Sequence, residues 1–544
     1  MVGTTRDGTQ VLLLKEGASQ TRGREALSNN ITAAKIVASM LKTVLGPRGM
    51  DKMLVDSMGG VTITNDGATI LKEMDVQHPA AKMMVEIAKA VDNEAGDGTT
   101  SAVIIAGALL EKAEELIKQG IHPTVIVDGY RMAMRQALDI LNKIAEDVKL
   151  DNNDHAVLRN IARTSMESKI VSLDSDVLSD LAVKAVLAVA ETAPQLETTN
   201  DNGYAVVDLD NVKIQKKPGG AMRDSSLIKG MIIDKEIAHS EMPHMIKDAK
   251  ILLLNTPLEI EKTEFDAKIT ISRPEQMHLF LEEEGKMLKS MVDKIASVQA
   301  NTVFCQKGMD EVVVEYFAKA NILAIKSVKE SDINALAKAT GARLVASLDD
   351  LSAKDLGYAQ LVEERKVEND KWVFVEKCKN PKAVSILIRG GSERVVEEAE
   401  RSMHDALMVV KDVVQKPAIV AGGGSPEAYV SKKLRIWASG ISGRQHYAIL
   451  AFADALDSIP ITLAENAGMD VIDTIAGLRS KQLSENNPWI GIDVKGLKVA
   501  DMRMKNIIEP LAVKEQVLNS ATETTAMLLR IDDILSSSRG APKA

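Results

Sequence analysis

Four glycine loops hold the residues best suited to chemistry: Leu45-Gly46-Pro47-Arg48-Gly49-Met50-Asp51-Lys52, Asn65-Asp66-Gly67-Ala68-Thr69, Gly96-Asp97-Gly98-Thr99-Thr100-Ser101 and Gly422-Gly423-Gly424-Ser425-Pro426. The third lies directly before a helical pattern that Thr99 to Ser101 begin. Free backbone amides and the positive end of the helix dipole would meet a phosphate there. Gly96 and Gly98 permit close backbone approach, and the hydroxyls of Thr99, Thr100 and Ser101 add donors. Asp97 is a carboxylate able to hold Mg²⁺ against phosphate oxygens. The competing reading is an ordinary helix cap, Asp or Thr satisfying the first amides. Asp66 would be a second carboxylate near a metal or an attacking water, although Asn-Asp-Gly also favours a plain turn. Gly46-Pro47 reads equally as a helix stop. The glycines from 422 offer bare amides ahead of a helix at Pro426, suited to a ribose or phosphate. Asp405 lies beside the apolar face of a helical stretch with Arg401 four residues before it, and from the residues alone this is a solvated ion pair.

These loops punctuate a helical frame. Ile31, Ala34, Val37, Leu41, Val44 and Leu45 recur at helical spacing and stop at Gly46-Pro47. Further periodic segments run from Ala80 to Val91 and from Thr99 to about Lys118, with a β-like piece at 61–65. From about Gly203 short apolar runs alternate with helical stretches, and strands are expected at 251–254, 302–305, 322–325, 344–346, 371–378 and 384–388. Helix returns from Ser392 to about Val414. An α/β part inserted into a helical protein follows, with glycines near 219 and 390 at the two crossings.

Composition sets the class. The chain has 544 residues, 45% hydrophobic and 26% charged, as in a globular protein of about three to four domains. The longest apolar run, Ala102 to Leu110, is too short for a membrane span, and Val11 to Leu14 is too short for a signal-peptide core. Two cysteines, Cys305 and Cys378, without a CxxC, build neither a disulfide framework nor a four-thiolate metal site, which favours the cytoplasm. A net charge of −10 argues against nucleic acid as a partner. Aromatics are scarce at 3% while Met numbers 25, which implies a helix-rich core filled by methionine. Neither GxxxxGK[ST] nor GxGxxG occurs.

Taken together, the loops resemble those of the group II chaperonins, the archaeal thermosome subunits in particular. LGPRGMDKMLVD (45–56), TNDGATILKEMDVQHPAAKM (64–83), GDGTTSAV (96–103), LVEERK (361–366), AFADAL (451–456), TLAENAGMD (462–470) and MLLRIDD (527–533) occur in that family's order. The resemblance covers nearly the whole chain. It implies a chaperonin fold: an α-helical equatorial ATPase domain from 1–149 and 405–544, an α+β intermediate hinge domain from 150–216 and 368–404, and an α/β apical domain at 217–367 carrying a helical lid protrusion. It also implies ATP and Mg²⁺ as cofactors, unfolded proteins as clients, and identical or paralogous subunits in two stacked rings.

Residue by residue, the family's phosphate loop falls on Gly96, Asp97, Gly98, Thr99, Thr100 and Ser101, with Asp97 as the Mg²⁺ ligand. Gly46, Pro47 and Gly67 border the nucleotide, and Asp66 stands near the attacking water. The family's hydrolytic aspartate falls on Asp405, against the solvated-pair reading. Gly423, Asn466 and Asp493 match positions facing ribose and base. Lys169 resembles a γ-phosphate-sensing lysine, with Ser168 where the family has glycine. Phe265, Ile269 and Ile271 are the lid or client candidates. The stripe Met277, Phe280, Leu281, Met287, Leu288 and Met291 reads first as core. Two other classes fit the same loops: a phosphotransferase acting on a small metabolite, and a ring-forming holdase with decayed ATPase chemistry.

Overall fold

The helix Thr99–Lys118 is apolar on nearly every side, with Ala102, Val103, Ile104, Ile105, Ala106, Leu109 and Leu110 fully buried. A helix without a polar face has to be enclosed by others. Here Gly23–Lys42, Pro79–Ala95, Gln445–Leu456 and Leu511–Leu529 all pack against it. Gly107 makes one of these approaches possible, because a Cβ there would stand 2.2 Å from Ala38 Cβ. Pro79 and Pro123 start their helices at the first turn, where a missing N–H costs nothing.

The computed structural model describes residues 2–4, 10–12, 19–148, 155–190, 206–260, 274–379 and 382–536. It divides into two units, 1–175 with 402–544, and 176–401. The first is the helical one. Its small sheets include the hairpin Lys52–Val55 with Val61–Thr64, and Ala418–Ala421 between Ile508–Pro510 and Glu146–Asp147. The segment Gln445–Ala467 is apolar enough to cross a membrane by composition, but it is 72% buried within the protein. Ser431 Oγ bonds Ala453 O in its first half, and Asp457, where the two helices of the segment meet, takes Arg435 and Arg479. It is therefore core.

The second unit is built on a mixed sheet. Met245–Leu254 lies parallel to Thr302–Cys305 and Leu344–Val345 and antiparallel to Gly357–Val367, which pairs with Asp370–Cys378. Thr302–Cys305 and Leu323–Ile325 are fully buried, as parallel strands flanked by helices must be. A separate three-stranded sheet joins Val212–Pro218, Val384–Gly390 and Ser226–Ile228. Gly219 and Gly390 face each other across a bridge, with Gly219 N donating to Gly390 O at 2.7 Å.

The expected strands at 251–254, 302–305, 322–325, 344–346, 371–378 and 384–388 all lie within or closely on observed ones. The eleven-residue strand Gly357–Val367 escapes the pattern because its second half is charged. There Arg365 is held by Glu363 and Glu376 and stacks 4.7 Å over Phe374, so charge pairing replaces apolar alternation. In the helix Pro274–Ser297 the apolar stripe is divided: Leu288 is buried, whereas Met287 is 58% exposed.

Candidate functional site

The N-terminus of Thr99–Lys118 opens onto a pocket of the first unit lined by Gly46, Pro47, Asp66, Gly67, Asp97, Gly98, Thr99, Thr100, Ser101, Lys169, Asp405 and Gly423. Its cap residue, Gly98, has φ +83° and no side chain to satisfy the first amides. A Cβ there would also meet Val517 Cγ2 at 2.7 Å. The helix-cap reading fails at this end: the Asp97 carboxylate accepts from Gly98 N at 2.6 Å instead. At Asp66, where the sequence suggests a plain turn, a helix starts instead: Asp66 caps Gly67–Glu73 by accepting from Thr69 N at 2.8 Å while lining the pocket. Gly67 lets the two loops interlock, since a Cβ would fall 2.5 Å from Thr100 Oγ1.

Asp405 corrects the sequence reading. Its partner is not Arg401, which bonds Glu398 at 2.8 Å, but Lys169, 236 residues away. Both partners are buried. Burial and then the charges of Asp66 and Asp405 push the Asp92 carboxyl up to about 6. Burial and Asp405 likewise push Asp97 up, against Lys169 and the Gly98 amide. His404 stands 3.9 Å from Asp405, whose carboxylate pushes the imidazole up. Several acids therefore converge here, with Lys169 the nearest compensating charge and Lys514 and His404 adding to it, an arrangement that still leaves room for an added cation.

Among the described residues no group of three or more His, Cys, Asp or Glu could hold a metal by itself. A single carboxylate beside an uncapped helix N-terminus suits Mg²⁺, which keeps waters and shares phosphate oxygens rather than filling an all-protein cage. Asp97 fits that role.

The model of the TCP-1/cpn60 chaperonin family matches residues 37–539. A thermosome subunit of Methanopyrus kandleri is 53% identical over 97% of this chain and 95% of its own. Thermosome subunit alpha of Archaeoglobus fulgidus is 52% identical, covering 98% and 95%. Thermosome subunit beta of Sulfurisphaera tokodaii is 51% identical, covering 99% and 96%.

The chain belongs to the TCP-1/cpn60 chaperonin family.

Three residues singled out in this chaperonin stand behind the pocket rather than in its lining. Gly96 ends Pro79–Ala95 at φ +66°, its amide donating to Asp92 O at 3.0 Å. Asn466 Nδ2 donates to Lys42 O and Leu45 O at 2.8 and 2.9 Å, holding the turn before Gly46. Asp493 pairs with Lys505 at 2.9 Å and accepts from Gly496 N, while Ile492 and Val494 beside it face the pocket. Burial opposes its ionisation, but Lys505 and the Gly496 amide hold the carboxyl below the usual range. Phe265, Ile269 and Ile271 lie outside the described residues.

Among the polar lining residues of the chaperonin to which the sequence gives no role are Thr164, Lys495, Glu509 and Lys514. Lys514 left one trace, a lysine within the apolar run Leu511, Val513, Val517, Leu518 that the helix Leu511–Leu529 buries.

Proposed function

We propose that this chaperonin is an ATP-driven folding subunit whose nucleotide occupies the pocket at the head of Thr99–Lys118. The observation that carries the proposal is the buried Lys169–Asp405 pair in the same pocket as a helix N-terminus without a side-chain cap. Amides of Thr99, Thr100 and Ser101 would bind phosphate oxygens at the positive end of the helix. Gly46, Pro47 and Gly423 would border base and ribose, with Asn466 and Asp493 holding those walls.

Asp97 would hold Mg²⁺, which when bound neutralises charge on the transferred phosphoryl group. Lys169 would leave Asp405 for the γ-phosphate, so that the carboxylate is freed only when a triphosphate is present. Asp405 would then orient the attacking water and take its proton, with Asp66 as the second carboxylate. Positioning and charge would carry the catalysis, as phosphoryl transfer requires.

In the assembly we propose, 1–149 with 405–544 is the equatorial domain, 150–216 with 368–404 the hinge, and 217–367 the apical domain with its lid. Subunits would form two stacked rings in the cytoplasm and enclose unfolded clients, closing the lids on Mg-ATP binding and hydrolysis. The test is Asp405→Ala on the assembled protein. Phosphate release should fall by at least about a hundredfold while Mg-ATP still binds. Full turnover in that variant, or a monomer on sizing, would refute the proposal.

A further inference from the structure

The pocket has a wall that this mechanism does not use. Lys514 Nζ lies 2.8 Å from Glu427 Oε1 and 2.5 Å from Glu509 Oε2, and the lysine is 7% exposed. Burial works against its charge, but the two carboxylates outweigh it and push its pKa up. Burial pushes Glu509 up in turn, against Lys514. The cluster thus carries two carboxylates and one ammonium inside the protein, and both Lys514 and Glu509 line the pocket.

The connections are specific. Glu427 sits in the first turn of Ser425–Ala438, directly after the Gly422–Gly424 loop, and its Oε2 has no hydrogen-bond partner among the described residues. Glu509 is paired in register with Val420 just before that loop. It lies against bare Gly422, where a Cβ would be 2.9 Å from its Oε1. Lys514 belongs to the helix whose Val513 and Val517 press on Gly98 from behind. One ammonium group, on the helix whose valines lie against Gly98, therefore links the helix after the Gly422–Gly424 loop to the strand of Glu509.

We propose that Lys514 is a positioning residue for nucleotide: held between Glu427 and Glu509, it fastens the helix after the Gly422–Gly424 loop to Leu511–Leu529, the helix packed on Gly98, and leaves one negative charge rather than two beside the pocket. This rests on the nucleotide reading above. A polyphosphate is repelled by each uncompensated carboxylate nearby, and a buried carboxylate stripped of its cation is poorly screened. Lys514 acts on binding rather than on the chemical step, because Lys169 and Asp405 belong to a separate pair.

The experiment measures KM for Mg-ATP and kcat for phosphate release on the assembled protein. Lys514→Met should raise KM about tenfold with kcat changed by less than about threefold. Adding Glu427→Gln and Glu509→Gln to it neutralises the cluster, and KM should return to within about threefold of the unaltered protein. Glu509→Gln alone removes a negative charge and should lower KM by about threefold. An unchanged KM in Lys514→Met would overturn the proposal. So would a folded triple variant as weak as the single one, or a raised KM in Glu509→Gln. Should Lys514→Met fail to assemble, the other two variants decide on the same criteria. If the unaltered protein binds no Mg-ATP, the nucleotide reading itself is refuted; an effect missing only from the variants refutes the role of Lys514.

Discussion

Gly98→Ala should weaken both the fold and the phosphate site, and Gly120→Ala separates the reasons. Both glycines have left-handed backbone, φ +83° and +86°, which costs an alanine about 1–2 kcal/mol, offset by roughly half a kcal/mol from the stiffer unfolded chain. At Gly120 a Cβ meets nothing within 4 Å, so the backbone term is the whole effect. At Gly98 the same Cβ meets Val517 Cγ2 at 2.7 Å and Val513 Cγ1 at 3.0 Å, well inside the ~3.5–4.0 Å optimum for carbon contacts. Relieving this means moving the valines or the loop, an overpacking cost of about 1–3 kcal/mol. The total is about 2–4 kcal/mol at Gly98 against about 1 kcal/mol at Gly120. Displacing the amides of Thr99 to Ser101 by a fraction of an ångström should also raise KM for ATP about tenfold, with no such change in Gly120→Ala. Denaturant midpoints of the two variants, followed by helical signal, and phosphate-release kinetics measure both effects. Equal midpoints would refute the steric argument, and an unchanged KM in Gly98→Ala would refute the use of these amides.

Asp412 is pushed up to about 7 by burial, with Glu94 and Asp97 adding to the shift and Lys411 opposing it. The folded protein therefore keeps a proton that the unfolded chain releases above about pH 4, so this residue's contribution to stability is complete at low pH and is lost as pH rises towards about 7. Asp412→Asn should flatten that decline and melt higher than the unaltered protein at about pH 8; parallel melting profiles would contradict this. Both thiols are pushed up to about 11 by burial, Cys305 against a hydrogen bond at Lys307. Alkylation of the native protein at about pH 8 should be slow and should become fast on unfolding, as mass spectrometry would record.

What could be read from the sequence was what is local. Thr99–Lys118 has the bounds that periodicity suggests, because its apolar run is long and its first turn is marked by Gly98. Pro79 similarly announces the start of its helix, whereas the short helix Gly67–Glu73 stands where Asn-Asp-Gly suggests only a turn. What was missed depends on distant partners. Asp405 looks solvated beside Arg401, and only folding brings up Lys169 from 236 residues away. Glu427, Glu509 and Lys514 each resemble ordinary surface charges until a strand, a loop and a helix enclose them. Strands such as Ala418–Ala421 and Ile490–Asp493 are four residues long, too short to state a period. The roles given to the pocket residues came from resemblance to a family, and the distances explain how those residue types could meet.

The first unit is interrupted in sequence by the second, and this has a consequence for synthesis. Thr99–Lys118 needs Gln445–Leu456 and Leu511–Leu529 to cover it, yet some 340 residues of chain follow Ser175 before the latter begins. At about 5–20 residues per second the ribosome takes roughly 20–70 s to supply them. Through that interval the amino-terminal helices wait with an apolar face uncovered. A nascent subunit is thus, for roughly 20–70 s, itself a chain whose apolar surface needs protection.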